Sequence, residues 1–325
     1  MTIHLVANPT SGGGRAARML PRVVEQLRRT FVGRPLVVQK ATNYAHARQV
    51  INDAVACHTE DEVLVVLGGD GMMHLGLNAV AGTDVPLGMI AAGSGDDLCR
   101  GLGIDVDDPG QALELIGLPA RPIDLLRVDP LTPVGPNRGR GDDSPVSADE
   151  QQRRWVGSIL CSGFDALVNI RANAMTFPRG RLQYPVAVFT ELRDFQPLRY
   201  ELVVDGERRE LEAMLIAIGN TSSFGGGLRM CPDADPDDGL LDITIIHPVG
   251  RAKLVRMFGE VYAGTFTRIK EVELIRARRV ELSGWLADGT PLTAMGDGEL
   301  IGSIPRVIEC VSGALNAYAP PQHPR

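Results

Sequence analysis

The chain has 325 residues, of which 44% are hydrophobic and 22% charged, with a net charge of −7. That balance fits a soluble globular protein of about two domains and argues against nucleic acid as the main partner. No run reaches the ~18 apolar residues of a membrane span, and the N-terminus lacks the basic head of a signal peptide.

Residues 3–7 are apolar and read as a first strand. Asn8, Pro9, Thr10, Ser11 and Gly12 to Gly14 follow, and then a helical period over 15–29. Strand, glycine-rich turn and helix is the shape of a nucleotide phosphate loop. It is not a Walker loop, because no Gly-Lys-Ser/Thr follows. Residues 35–39 read as a second strand, and Thr42 as the N-cap of a helix reaching Val55. An apolar run at 63–67 then ends on Gly68, Gly69, Asp70 and Gly71, and 72–81 can continue as a helix. Such a turn lies at the carboxyl end of a strand and at a helix N-terminus, where an anion is favoured. A second unit repeats the design, with a strand at 85–91 and then Gly93, Ser94, Gly95, Asp96 and Asp97. Two such turns suggest one phosphate site built from neighbouring strands. Asp70 would either hold Mg²⁺ or order the glycine turn; an Asx turn is the plainer alternative. His74 alone is ambiguous between packing and function. The β-α-β-α-β series, with a short helix at 111–116, predicts a parallel, doubly wound sheet.

From Pro122 the pattern changes. A strand is expected at 123–128, and 131–152 reads as a solvated, disordered insertion. Short strands follow at 155–162, 199–204, 210–219, 241–247 and 272–282, with helices at 166–175, 185–195 and 251–262. Residues 306–310 and 314–319 look like closing strands, and 320–325 a frayed end. The expected fold class is α/β: an N-terminal doubly wound nucleotide domain and a C-terminal antiparallel β-sandwich. Cys57, Cys99, Cys161, Cys231 and Cys310 are scattered without a CxxC pair, which reads as reduced thiols in a cytoplasmic protein.

Three later constellations can carry chemistry. Asn220 to Gly227 and the acidic turn Asp233 to Asp242 offer carboxylate and carbonyl oxygens, which hard cations such as Mg²⁺ accept. A surface turn is the alternative there. Asp297, Gly298 and Glu299 pair two carboxylates across a glycine, an arrangement suited to general-base work and equally to a hairpin turn. Arg251, Lys253, Arg256, Arg268, Lys270, Arg276, Arg278 and Arg279 form a basic run. It would suit anionic lipid headgroups, or simply be a solvated face.

N-P-x-S-G, G-G-D-G, G-S-x-D-D-x-x-R, S-G-F-D-A, F-G-G-G with P-D-A-x-x-D-D-G-L-L-D, and a late D-G-E occur in that order. Together they resemble the diacylglycerol kinase catalytic family, which includes bacterial soluble lipid kinases and sphingosine and ceramide kinases. The resemblance spans nearly the whole chain. It implies an ATP-binding domain over 1–122, joined by 314–319, and a lipid-binding β-rich domain over 123–313. It implies ATP contacts at Asn8, Pro9, Thr10, Ser11, Gly12, Thr42, Gly68, Gly69, Asp70, Gly71, Met72 and Ser94. Asp297 matches the base that activates a lipid hydroxyl, with Glu299 beside it. Asp238, with carbonyls of Asp235 and Leu240, matches a structural Mg²⁺ site distinct from the ATP-bound ion. A lipid substrate, peripheral contact with an anionic membrane, and a homodimer as one option for assembly go with it. The chain departs from the family at Met72 (usually threonine), His74 (asparagine), Leu75 (glutamate) and Asp96 (asparagine). Met72 cannot donate to a phosphate, and Asp96 sets a carboxylate beside a polyanion, with Arg100 one turn away to offset it. Those departures keep two alternatives open: a non-catalytic nucleotide- or lipid-binding relative, and a soluble-substrate kinase of the NAD kinase type.

Overall fold

The computed structural model describes residues 2–57, 59, 61–131, 152–175, 186–187, 190–191 and 195–321. Most of the expected insertion at 131–152, of the expected helix at 185–195 and of the end at 320–325 lies outside them.

The first half alternates strand and helix: β1 (Thr2–Ala7), α1 (Ser11–Thr30), β2 (Leu36–Lys40), α2 (Tyr44–Ala54), β3 (Glu62–Gly68), α3 (Asp70–Val80), β4 (Leu87–Ala91), α4 (Asp97–Gly101) and α5 (Pro109–Leu115). The strands pair in parallel in the order β2-β1-β3-β4. The continuous apolar runs of β3 and β4 are buried on both faces, as a helix-covered parallel sheet requires. Helical geometry in α1 starts only after Gly12, Gly13 and Gly14, which all take positive φ. Asn43, not Thr42, caps α2: its side chain accepts from the His46 N–H at 2.8 Å.

The second half is mainly β: β5 (Arg121–Pro130), β6 (Arg154–Val156), β7 (Ile159–Gly163), α6 (Phe164–Ala174), β8 (Leu198–Val204), β9 (Glu207–Ala213), β10 (Leu215–Gly219), β11 (Leu241–Ile246), α7 (Arg251–Ala263), β12 (Val272–Ala277), β13 (Arg279–Trp285), β14 (Thr293–Gly296), β15 (Glu299–Ser303) and β16 (Arg306–Ala317). One antiparallel sheet runs β12-β11-β10-β7-β14-β15; β13, β8, β9, β5 and β6 instead extend the parallel sheet through β16. Three stretches expected as single strands are each two. The chain passes from one sheet to the other at Gly157-Ser158, at Met214 and at Arg278. A sandwich strand that changes sheets keeps its apolar composition across the corner, so alternation alone does not mark the break. Conversely, the two expected closing strands are one, β16, with an irregularity in its pairing to β5 between Val311 and Leu315.

Two buried clusters result. One gathers the helices and parallel strands with Ala314, Leu315, Ala317 and Tyr318 from the end of β16. The other lies between the two β layers and takes Ile308 from the start of that strand. Among the described residues, no helix is long and apolar enough to cross a membrane.

Candidate active site

The glycine turns meet across the strand ends. A Cβ on Gly93 would sit 2.6 Å from the Gly69 Cα, and one on Gly12 would lie 2.2 Å from the Ala92 carbonyl oxygen. Only glycine lets the three turns approach this closely. They line a cavity of about 270 Å³ that includes Asn8, Ser11, Gly12, Gly69, Asp70, Gly71, Met72 and Ser94. Pro9, Thr10, Thr42 and Gly68, expected at the nucleotide, are not in its lining. Asn43, Tyr44, Ala47 and Gly93 are there instead. The Asn8 side chain accepts from the Thr10 N–H at 3.1 Å and the Thr10 hydroxyl at 2.8 Å, so Thr10 shapes the loop from behind. Met72 is buried, and a Cβ on Gly68 would strike its Cγ at 2.4 Å. Its Cβ and Cγ pack against Gly68 at the strand end.

Asp70 serves the protein before any ligand. Its carboxylate accepts from the Asp96 N–H at 3.0 Å and the Asp97 N–H at 2.8 Å, fastening the second turn to the first. Asp96 is left-handed, with φ 53°, a region that Asn and Asp tolerate better than most residues. Its own carboxylate accepts from the Gly93 N–H at 3.0 Å. Asp97 reaches the other lobe and accepts from the N–H groups of Gly226 (3.0 Å) and Gly227 (3.1 Å) in the F-G-G-G turn. Burial, reinforced by the Asp70 charge, pushes both Asp96 and Asp97 up to about 6. The Arg100 guanidinium donates to the Gly95 carbonyl at 3.2 Å.

The late D-G-E is a two-residue hairpin turn between β14 and β15. Asp297 (φ 52°) and Gly298 (φ 80°) both lie in the left-handed region, the signature of a type I′ turn. The turn carries Asp297 into the break between β6 and β7. Its Oδ1 accepts from the Ser158 N–H at 2.8 Å and the Ser158 hydroxyl at 2.6 Å; its Oδ2 accepts from the Gly157 N–H at 2.9 Å and lies 3.3 Å from His74 Nδ1. Burial alone would raise this carboxyl, but His74, Ser158 and Gly157 together hold it below its usual value. Glu299 leans over the first turn of α3: a Cβ on Gly71 would lie 2.9 Å from its Oε1. Glu299 is raised, chiefly by burial, and burial with the Glu299 charge pushes Tyr44 up to about 12. Asp297, Glu299 and the glycine-lined cavity therefore share one end of α3. Gly157, Ser158 and Tyr44 were not singled out in the sequence; a Gly-Ser pair inside an apolar run was the available signal for the first two.

The acidic turn is arranged differently. Asp235 accepts from the Asp237 N–H at 3.1 Å, and Asp238 Oδ1 from the Leu240 N–H at 3.0 Å. Asp238 Oδ2 is paired with the Arg276 guanidinium, and Asp237 with Arg121 at 2.7 Å. Among the described residues no group of three or more His, Cys, Asp or Glu is placed to hold a metal ion. The Asp238 carboxylate expected to hold Mg²⁺ with the Asp235 and Leu240 carbonyls is here engaged by the Arg276 guanidinium and the Leu240 N–H. The basic run is also partly neutralised: Lys253 faces Glu271, Arg256 faces Glu260 and Arg279 faces Glu281.

Comparison with known proteins matches both halves. Residues 2–128 match the "Diacylglycerol kinase catalytic domain" family, and 158–319 the "YegS C-terminal NAD kinase beta sandwich-like domain". The chain is 35% identical over 322 residues to the "Diacylglycerol kinase" of Mycobacterium tuberculosis, covering 98% of this chain and 95% of that protein. It is 30% identical to the "Probable lipid kinase YegS-like" of Stenotrophomonas maltophilia, over 80% of this chain and 79% of that one. A crystal structure of a diacylglycerol kinase from Bacillus anthracis shares the fold, with a TM-score of 0.68 at 18% identity, over 98% of this chain and 97% of that chain.

Proposed function

From a chain that belongs to the diacylglycerol kinase catalytic family and is therefore a lipid-kinase phosphotransferase, we propose an ATP-dependent enzyme that phosphorylates the hydroxyl of diacylglycerol or a related lipid alcohol. The observation that carries this is the meeting at α3. Glycine turns able to wrap a polyphosphate stand at its N-terminus, and one turn further along His74 touches Asp297. ATP, arriving with its own Mg²⁺, would lay its phosphates among Ser11, Gly12, Gly69, Gly71 and Ser94. Backbone N–H groups and the helix dipole would spread the charge of the transferring phosphoryl group. Asp297 and His74, paired at 3.3 Å, form the centre toward which the acceptor proton would be drawn.

The acceptor is proposed to come from a membrane surface that the second lobe touches. The exposed side of α7 sets Val255 (39% exposed) and Tyr262 (54%) among Arg251, Lys253 and Arg256. That pattern fits peripheral contact with anionic lipid.

Purified protein with γ-labelled Mg-ATP and mixed micelles of diacylglycerol, ceramide and sphingoid base should release labelled lipid phosphate. Asp297→Asn should lower turnover by ~10²-fold or more. Nucleotide binding without transfer to any lipid, or transfer to a water-soluble acceptor without detergent, overturns the reading. Binding to anionic vesicles in excess of neutral ones is expected of the α7 face, and equal co-sedimentation rules that contact out.

A further inference from the structure

The Asp297 carboxylate is fully engaged, and the chemistry left over belongs to the histidine beside it. Both Asp297 oxygens already accept hydrogen bonds from Gly157 and Ser158. Its side chain is only 4% exposed, against 7% for His74. An anion held in this way is a weak proton acceptor, because each bond must loosen before a proton can be taken. It is well suited to orient an imidazole and to stabilise its cation.

The geometry of Asn78 leaves the other ring nitrogen open. Its amide oxygen accepts from the Trp155 N–H at 2.9 Å, which fixes the orientation of the amide. Its Nδ2 donates to the His74 carbonyl at 3.0 Å and the Trp155 carbonyl at 2.9 Å. An amide nitrogen carries two hydrogens, and both are spent. The 3.3 Å approach of Asn78 Nδ2 to His74 Nε2 is therefore a contact rather than a third hydrogen bond. In the neutral ring, an Nδ1–H directed at Asp297 leaves the lone pair on Nε2. His74 also lines a second cavity, of about 260 Å³, with Arg48, Asn52, Asn78, Arg153 and Trp155.

We propose that His74 Nε2 is the atom that takes the acceptor hydroxyl's proton, with Asp297 as its positioning carboxylate. This rests on the kinase reading above. The hydroxyl oxygen forms a bond to the γ-phosphorus, the bond from that phosphorus to the β–γ bridging oxygen breaks, and ADP leaves with the electron pair. The hydroxyl proton passes to Nε2, and the imidazolium paired with Asp297 later returns it to solvent. The charged groups around the ring are Asp297 and Glu299 from the hairpin, with Arg48 from α2, and Arg153 and Arg154 at the start of β6, lining the same cavity.

The test is His74→Asn, which keeps a polar side chain of similar reach, alongside His74→Gln. Turnover should fall by ~10²-fold or more, with ATP affinity and melting temperature unchanged. The acid limb of kcat/KM should leave the histidine range. In histidine-labelled protein, ¹⁵N spectra should show Nδ1–H with Nε2 unprotonated, titrating with the same apparent pKa as that limb. An asparagine variant with wild-type turnover and pH profile overturns the proposal. So does a His74 ring that stays cationic from about pH 5 to 9, as a purely structural ion pair would. The ring's tautomer is read without substrate, so absence of any lipid turnover would count against the kinase reading and leave the spectra to judge His74.

Discussion

At the residue scale, the chain places a carboxylate at 96, in the second glycine turn, where an amide would fit the same backbone. The left-handed backbone accepts either, and either can accept from the Gly93 N–H. What differs is charge. Asp96 is buried beside Asp70, which is why its proton is held up to about 6. Ionised, it would set a negative charge beside the proposed polyphosphate; protonated, it resembles the amide. Asp96→Asn should therefore tighten ATP binding at pH 7.5 and flatten its dependence between pH 5.5 and 7.5, as read by isothermal titration. Unchanged affinity would show that Arg15 and Arg100, both of which favour the ionised form, already offset the charge. Ser158 offers a second test. Its hydroxyl is 2.6 Å from Asp297 Oδ1, and a hydrogen bond to a charged partner contributes about 1.5–3 kcal/mol. Ser158→Ala should lower stability in urea by that order and shift Asp297 upward.

At the scale of elements, the D-G turn at 297–298 aims the site. Type I′ geometry needs positive φ at both positions, and Gly298 has φ 80°. A β-branched side chain there costs about 1–2 kcal/mol through its Cβ and swings Asp297 out of the β6–β7 break. Gly298→Val should therefore reduce turnover more than nucleotide affinity, because it displaces Asp297 while leaving the glycine turns at Gly12, Gly69 and Gly93 intact. Equal losses in both would mean the hairpin supports the whole crevice. Local signals of this sort were legible in the sequence. Gly68 to Gly71, Gly93 to Asp97 and Asp297 to Glu299 each announce a turn by composition, and the apolar runs before the first two announce parallel strands. The break at Gly157-Ser158 was not legible as a site. Its meaning comes from a carboxylate about 140 residues away in the chain, and the flanking Val156 and Ile159 are as apolar as any single strand. Asn43 and Tyr44 were missed for a related reason. They reach the crevice only because α2 packs beside α3, a tertiary fact that no local pattern carries.

At the scale of the molecule, carboxylates fasten the lobes by accepting backbone N–H groups rather than by pairing with cations. Asp70 ties the two glycine turns, Asp97 ties them to Gly226 and Gly227, and Asp124 accepts from Gly239 at 2.7 Å and Gly313 at 2.8 Å. Burial is the first cause of the upward shift at each of them. The sign of the consequence is unusual. A carboxyl raised in the folded state binds protons more readily there than in the unfolded chain. Stability from such groups is greatest once both states are protonated, below about 4, and for Asp96 and Asp97 it is lost as pH rises through about 6. Asp297, held low, acts in the opposite sense but only below about 4, where its unfolded form titrates. Between pH 5 and 7.5 the raised group dominates, and the net charge of −7 adds repulsion on the alkaline side. The nucleotide-free protein should therefore melt at a higher temperature near pH 5.5 than at pH 7.5. The double substitution Asp96→Asn, Asp97→Asn should remove most of that difference. A melting temperature that climbs steadily from pH 5.5 to 7.5 would mean that these carboxyls titrate near their ordinary values and that ion pairs such as Arg121–Asp237 set the pH response instead.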